Sequence, residues 1–343
     1  MVKIYPGAMH IHTTYSDGTG TIGEIADSAK KTGLKWIIIT DHNSLKGLKN
    51  NEEGWYDGVA VIIGNEISPE KSDHYLVLGT KEEITSMEPE IFIKEVRNQG
   101  GIGFVAHPDE SISRENKYPP LRWTDWNIKD FDGIEIWNYM SDWVDHFNNK
   151  RILRCLLKRN DVLTGPTPET LKWWDNLNNN DEKIIPAVGG VDVHAFNYKL
   201  FCLNYKIFSY YDSFKTVTNH IILDEELSDN FETAKNQIQK ALHEGRNIII
   251  NRCWGAEENN PVFYFKNKEK RVYTGGITEL KDDSALVIEL AKKSLIKLSC
   301  NGKIVHQKHS KELVYKDIVP GKYRAEVHYR EKPWIFTNPI LVK

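Results

Sequence analysis

The sequence is poor in cysteine and has no long apolar run. Its four cysteines, at positions 155, 202, 253 and 300, lie too far apart for a CxxC metal site or a disulfide framework, so we expect free thiols. No run approaches the roughly 18 apolar residues of a membrane span, and the first residues lack the apolar core of a signal peptide. These absences predict a cytoplasmic protein without a membrane partner.

The chain also lacks an excess of either charge. It has 45 basic and 48 acidic residues and a formal net charge of −3. Such a balance creates no overall field that would attract a nucleic-acid duplex, so any selectivity for phosphate must be local. The length of 343 residues allows two domains, or one barrel of about 250 residues with an appendage.

Histidine is what the first 195 residues have in unusual number. Seven histidines occur there, and six of them lie in short segments that are typical of strand ends. Two acidic residues, Glu66 and Asp192, lie in segments of the same kind. Divalent metals bind imidazole nitrogens together with carboxylate oxygens, so the pattern predicts a multinuclear metal centre. The candidate histidines are His10, His12, His42, His74, His107 and His194.

The spacing of these residues supports shared coordination. His10 and His12 are two positions apart, so on a strand both imidazoles point to one face and can bind one metal. The same spacing recurs in Asp192 and His194. Glu66 is the best candidate for a carboxylate that bridges two cations about 3.5 to 4 Å apart. Asp17 offers one more oxygen.

Up to about residue 195, apolar β-branched runs alternate with helix-like stretches. Runs at 36–40, 59–63, 102–106 and 133–137 are typical of buried parallel strands, whose carboxyl ends carry the functional residues of an α/β barrel or open sheet. Thr21 to Glu24 has the pattern of a capping box at a helix start. A helix at 230–243 and a strand at 247–250 then complete a first domain, residues 1–255.

After residue 255 the pattern changes to short alternating runs separated by turn signals. Asn301-Gly302 between two such runs is a strong signal for a two-residue hairpin. We therefore expect residues 256–343 to form a small antiparallel β-sandwich.

These histidine and acidic segments, in this order, resemble the polymerase and histidinol phosphatase (PHP) superfamily of metal-dependent phosphoesterases over residues 8 to about 195. The resemblance implies a distorted (β/α)7 barrel that holds two or three divalent ions of zinc, manganese or iron. Transferred by position, it implies three ligand sets. They are His10, His12, Glu66 and Asp192 for the first metal, Glu66, His74 and His107 for the second, and Asp17, His42 and His194 for the third.

The function implied is hydrolysis of a phosphate mono- or diester of a small molecule or nucleotide. A hydroxide that bridges two metals would attack phosphorus, so the prediction includes no side-chain nucleophile. Candidate substrate contacts fall into three pairs, which are cations, aromatic platforms and residues behind the ligands. They are Arg114 and Lys117, Trp123 and Trp126, and Glu135 and Asn138.

Two other functions are compatible with the sequence. An amidohydrolase-like enzyme would cleave C–N bonds with a similar His-x-His barrel, but it expects a bridging lysine where this chain has Glu66. A regulatory or binding protein would use the metals for stability, yet structural zinc sites are closed by four ligands. The physiological substrate, the metal identity, the role of the C-terminal part and the oligomeric state stay open.

Overall fold

The computed structural model of the chain describes residues 2–110, 120–145, 162–179, 183–200, 203–255 and 261–343, and no side chains at 197–200 or 203–205. The protein is a mixed α/β structure with one large sheet. The helices in these ranges are α1 (Ile22–Lys31), α2 (Lys46–Lys49), α3 (Pro89–Asn98), α4 (Tyr139–Asp145), α5 (Pro168–Asn179), α6 (Tyr210–Ser213) and α7 (Phe231–His243).

The strands of the first 255 residues follow the apolar runs of the sequence. They are β1 (Lys3–Ala8), β2 (Trp36–His42), β3 (Gly54–Tyr56), β4 (Val59–Ile67), β5 (Tyr75–Leu78), β6 (Ile102–Val105), β7 (Gly133–Asn138), β8 (Ala187–Gly190), β9 (Asn197–Leu200), β10 (Leu203–Lys206), β11 (Val217–Leu223) and β12 (Asn247–Asn251).

Seven of these strands pair in a ring order around the candidate ligands. β1, β2 and β4 are parallel neighbours, and so are β6, β7 and β8. β5 lies between β4 and β6 and runs antiparallel to both. An isolated parallel bridge between Ile11 and Val193 then joins the chain after β1 to the chain after β8.

The antiparallel direction of β5 departs from the purely parallel arrangement that the apolar runs favoured. A parallel neighbour needs a crossover of a dozen or more residues, and only residues 68–74 connect β4 to β5. His74 therefore precedes its strand instead of following it. Because β5 is reversed, its amino end lies at the same edge of the sheet as the carboxyl ends of β4 and β6.

Local sequence signals for the helices and the hairpin are confirmed. Thr21 caps α1 in a capping box with Glu24, and Asn230 caps α7 through its side chain. Asn301 and Gly302 connect two antiparallel strands and have φ angles of 48° and 74°, the left-handed conformation that a two-residue hairpin of this type requires.

The C-terminal strands are β13 (Val262–Lys266), β14 (Arg271–Tyr273), β15 (Ile277–Thr278), β16 (Ala285–Cys300), β17 (Lys303–Tyr315), β18 (Gly321–Tyr329), β19 (Lys332–Thr337) and β20 (Ile340–Val342). They pair antiparallel except for β15 with β20. β19 also pairs with β12, so the C-terminal strands extend the sheet of the first part. The boundary at residue 255 and the sandwich stay predictions.

Three buried asparagines tie the C-terminal part to β8, the strand that precedes Asp192 and His194. Asn219 exchanges two hydrogen bonds with the backbone of Gly189, and Asn338 does the same with Ala187. Asn247 links the two, because its amide donates to Asn219 and its oxygen accepts from Asn338. Their side chains form hydrogen bonds with backbone N–H and C=O groups at the edge of β8, as a neighbouring strand would.

Candidate metal centre

The predicted ligands converge at one edge of the sheet. His42 and Glu66 lie at the carboxyl ends of β2 and β4, and His107 and Asp192 lie just beyond β6 and β8. All nine predicted ligands fall into groups whose donor atoms lie within 4.8 Å of one another. The groups are His10 with His12 and Asp192, His10 with Glu66 and His107, His42 with Glu66 and His74, and His12 with Asp17, His42 and His194.

Glu66 is the carboxylate shared by most of these imidazoles. Its side chain is buried, and its Oε1 lies 3.4 Å from Nε2 of both His10 and His107 and 2.9 Å from Nδ1 of His74. Its Oε2 lies 3.6 Å from Nε2 of His12 and 2.9 Å from Nδ1 of His42. With imidazoles grouped around both oxygens, Glu66 has the placement of a bridging carboxylate.

Asp192 faces the first two histidines. Its Oδ1 lies 3.4 Å from Nε2 of His10 and 3.3 Å from Nε2 of His12. Ligands about 2.0 to 2.1 Å from one tetrahedral ion lie about 3.3 Å apart, so these separations match shared coordination.

Asp17 belongs to a third group at the rim. Its Oδ1 lies 3.2 Å from Nε2 of His194, 3.6 Å from Nε2 of His42 and 3.8 Å from Nδ1 of His12. Its side chain is 53% exposed, so this group is the most open to solvent. The buried carboxylate of Asp41 anchors the loop that leads to Asp17. It accepts hydrogen bonds from the backbone N–H and the hydroxyl of Thr13 and from the hydroxyl of Ser16.

Orphaned polar atoms at the centre show that the residues fit bound cations. Nε2 of His10, both ring nitrogens of His12 and Oε2 of Glu66 are buried without a hydrogen-bond partner among the described residues. A buried polar atom without a partner costs about 1 to 3 kcal/mol. Coordination of divalent metals would satisfy this donor set of imidazoles and carboxylates.

Two predicted substrate contacts, Glu135 and Asn138, lie behind the ligands. Glu135 is fully buried, with Oε1 2.8 Å from Nδ1 of His10 and Oε2 accepting from the backbone N–H of His107 at 2.8 Å. Asn138 donates to Glu135 and to Asp192. A Cβ on Gly190 would lie 1.6 Å from Oε1 of Glu135, so this position requires glycine. These contacts fix the orientation of ligands.

Charge in the cluster keeps its carboxylates ionised, but it acts differently on its imidazoles. Burial lowers the pKa of His42 and of His107, whereas Glu66 outweighs burial and raises both to about 9, so a bound metal would displace these protons. Burial raises the pKa of Glu66, but the surrounding imidazoles, His10 first, outweigh it and hold that pKa well below its usual range. Burial and the neighbouring His194 lower the pKa of His12 to about 3, so this imidazole is neutral near pH 7. Burial also raises the pKa of Asp17, but the hydrogen bond and the charge of His194 outweigh burial and lower that pKa to about 2.

Three ligands have a backbone conformation that the sequence pattern does not predict. His10, His107 and Asp192 have φ angles of 65°, 27° and 48°, in the left-handed region that non-glycine residues rarely adopt. Such conformations persist where surrounding contacts enforce them. Here each strand ends and its chain turns so that the side chain points into the centre.

The two predicted aromatic platforms, Trp123 and Trp126, do not lie at the metal ligands. Trp123 is fully buried, and its ring packs with Tyr75 and Phe92 in the core, so the prediction that it forms a substrate platform is wrong. Trp126 is half-buried, 4.6 Å from the ring of Trp173, and lies outside the lining of the pocket over the ligands. Arg114 and Lys117 lie outside the described residues.

A pocket of about 330 Å³ opens over the ligands. Besides the ligands, its lining is partly acidic and partly apolar, and no sequence motif singles these residues out. The sequence does contain one signal for Phe196 as a pocket residue, because Phe196 continues the two-residue spacing of Asp192 and His194. The additional lining residues are Glu70, Glu110, Leu121, Met140, Ser141, Val144 and Phe196.

Comparisons with known proteins assign a family to the ligand-rich segment. The PHP domain model matches residues 8–120. The uncharacterized protein MJ1587 of Methanocaldococcus jannaschii is 29% identical over 146 residues, which are 38% of this chain and 80% of that protein. Phosphoribosyl 1,2-cyclic phosphate 1,2-diphosphodiesterase of Eggerthella lenta is 32% identical over 80 residues, 22% of this chain and 30% of that enzyme.

Among solved structures, a two-domain protein from Bacteroides vulgatus contains a predicted PHP-like metal-dependent phosphoesterase. It is 14% identical with a TM-score of 0.48, and the match covers 98% of this chain and 95% of that one. No helix in the described part of the chain is long and apolar enough to cross a membrane. Residues 8–120 match the PHP domain model and carry the chain's likeness to the PHP superfamily.

Proposed function

We propose that this protein is a metal-dependent hydrolase that cleaves a phosphate mono- or diester of a small molecule or nucleotide. The observation that carries the proposal is the placement of Glu66, a buried carboxylate with imidazoles around both of its oxygens. This placement suits two cations held side by side, as in enzymes that displace a group at phosphorus.

The chain offers ligands for up to three ions of zinc, manganese or iron. His10, His12 and Asp192 would hold one, Glu66 would bridge it to another held by His74 and His107, and Asp17, His42 and His194 would hold a third. When bound, such cations lower the pKa of water to near neutrality and neutralise phosphate charge.

The side chains do the positioning. Glu66 and Asp192 fix the spacing of the imidazoles, and Glu135 holds His10 by the nitrogen that faces away from Glu66 and Asp192. The open Asp17 group lies where an ester would enter from solvent, so its ligands would orient the phosphate oxygens.

The pairing order of the strands and one matched enzyme support the finer assignments. A distorted seven-stranded barrel is favoured by the pairing order β1, β2, β4, β5, β6, β7 and β8. The bridge between Ile11 and Val193 connects the last of these strands back to the first. The matched diphosphodiesterase of Eggerthella lenta acts on a phosphodiester, which favours phosphorus chemistry here. The amidohydrolase alternative expects lysine where this chain places Glu66.

Turnover of p-nitrophenyl phosphate and bis-p-nitrophenyl phosphate tests the proposal. The purified protein should hydrolyse at least one of them with added Mn²⁺ or Zn²⁺, and chelator should abolish the rate. The preferred ester assigns mono- or diesterase activity. Metal-loaded protein that turns over neither ester would contradict the proposed function.

A further inference from the structure

Three nearly parallel rings lead from the floor of the centre to the rim of its pocket. The rings of His12 and His194 stack with centroids 4.1 Å apart and an interplanar angle of 11°. The ring of Phe196 continues the stack, 5.2 Å from His194 at 5°. His12 is fully buried, whereas Phe196 is 39% exposed, so the column runs from the metal ligands toward solvent.

The pocket has an apolar side in addition to its ligand floor. Leu121, Met140, Val144 and Phe196 line it together with Asp17, His42 and His194. A phosphate group needs none of these apolar side chains, since metals and polar donors bind it. An exposed phenyl ring at this place therefore fits the organic part of an ester.

We propose that Phe196 is a stacking platform for a planar ring in the alcohol part of the substrate. This inference rests on the proposed function and names its substrate class, the phosphate esters of single aromatic or heteroaromatic alcohols, nucleosides included. The pocket of about 330 Å³ matches one ring system with its phosphate. Stacking on one face, with phosphate at the ligands, fixes both ends of the substrate.

A matched pair of esters isolates the ring. Benzyl phosphate and cyclohexylmethyl phosphate have similar size and similar leaving alcohols, but only benzyl phosphate has a planar π-face. Stacking of a base on an aromatic side chain is worth about 1 to 3 kcal/mol, so the wild-type kcat/KM should favour the benzyl ester at least about fivefold.

Substitutions assign that preference to Phe196. The ratio of the two kcat/KM values should fall toward one in Phe196→Leu, which keeps apolar cover over His194, and should persist in Phe196→Trp. Tyr211→Ala should leave the ratio at its wild-type value, since Tyr211 is similarly exposed, at 41%, but packs against Lys215 outside the pocket. Metal content, measured for every variant, separates loss of stacking from loss of ligands.

Binding of benzylphosphonate and cyclohexylmethylphosphonate to the metal-loaded protein, measured by calorimetry, separates the two proposals. Selective benzylphosphonate binding that depends on Phe196, without hydrolysis of either ester, would overturn the proposed activity and support the platform. Hydrolysis or binding of both compounds without preference, or a preference unchanged in Phe196→Leu, would overturn the platform. Absence of binding and hydrolysis alike would overturn both.

Discussion

At the scale of single residues, Glu135 shows how a buried group outside the ligand set shapes the centre. One of its oxygens is 2.8 Å from Nδ1 of His10, and the other accepts the backbone N–H of His107. A carboxylate partner fixes the ring orientation and the tautomer of an imidazole ligand and raises its basicity. We therefore expect Glu135 to contribute to metal affinity without touching metal.

Glu135→Gln should lower metal affinity about 10- to 100-fold while the fold is retained, because the amide keeps the shape but loses the charge. Competition with a chelating dye measures the change. Glu53→Gln is the matched control, since Glu53 is also largely buried but pairs with Lys235 away from the centre. Equal affinity in Glu135→Gln and wild type would show that Glu135 has no such role.

Gly190→Ala should remove both metal binding and activity. Its new Cβ would lie 1.6 Å from Oε1 of Glu135 and 2.9 Å from Cβ of His10, so the ligand support must move. Gly23→Ala in α1 provides a control, because no atom lies within 4 Å of its added Cβ. That variant should gain about 0.5 to 1 kcal/mol in the free energy of unfolding. Normal metal content in Gly190→Ala would contradict this account.

At the scale of elements, apolar runs and turn signals predict where strands and helices lie, but not every strand direction. The run before Glu66 and the run before His107 are strands with those residues at or beyond their ends. The direction of β5 depends on the short connection at 68–74, and neither periodicity nor composition encodes it. The left-handed backbone of His10, His107 and Asp192 also escapes sequence patterns, because tertiary contacts enforce it.

The loop between β1 and α1 depends on Asp41, which follows the apolar run of β2. Asp41→Ala removes three hydrogen bonds to Thr13 and Ser16, so the Asp17 group should lose its metal before the deeper groups do. Metal content after dialysis against increasing chelator measures the chelator concentration at which each metal is released. Ser16→Ala removes one of these bonds and should give an intermediate result. Release of the first metal at the same chelator concentration in Asp41→Ala and in wild type would count against the anchoring role.

At the scale of the whole molecule, the C-terminal strands are joined to the first part through both sheet and core. β12 pairs with β19, and the side chains of Ile248 and Ile250 pack in one core with Phe263 and Trp334. Arg324 adds a bidentate ion pair with Asp175 of α5. The sequence predicts a change to short alternating strands near residue 255. It gives no sign of these contacts, since they join residues far apart in the chain.

Asn338→Ala should destabilise the protein by about 3 kcal/mol, because it leaves buried polar groups of Ala187 and Asn247 without partners. Urea unfolding measures the free-energy change. Asn127→Ala, at an exposed position, should stay within about 0.5 kcal/mol of wild type. A similarly small effect of Asn338→Ala would show that the asparagine network does not hold β8.

The most direct test of the central claim is the number of metal ions bound per chain in wild type and in Glu66→Gln, measured by elemental analysis after equilibration with Mn²⁺ or Zn²⁺. Glu82→Gln, at an exposed position, is the control. We predict two or three ions in wild type and in the control, and at least one fewer in Glu66→Gln with a retained circular dichroism spectrum. At most one ion in wild type, or an unchanged number in Glu66→Gln, would contradict a multinuclear centre bridged by Glu66.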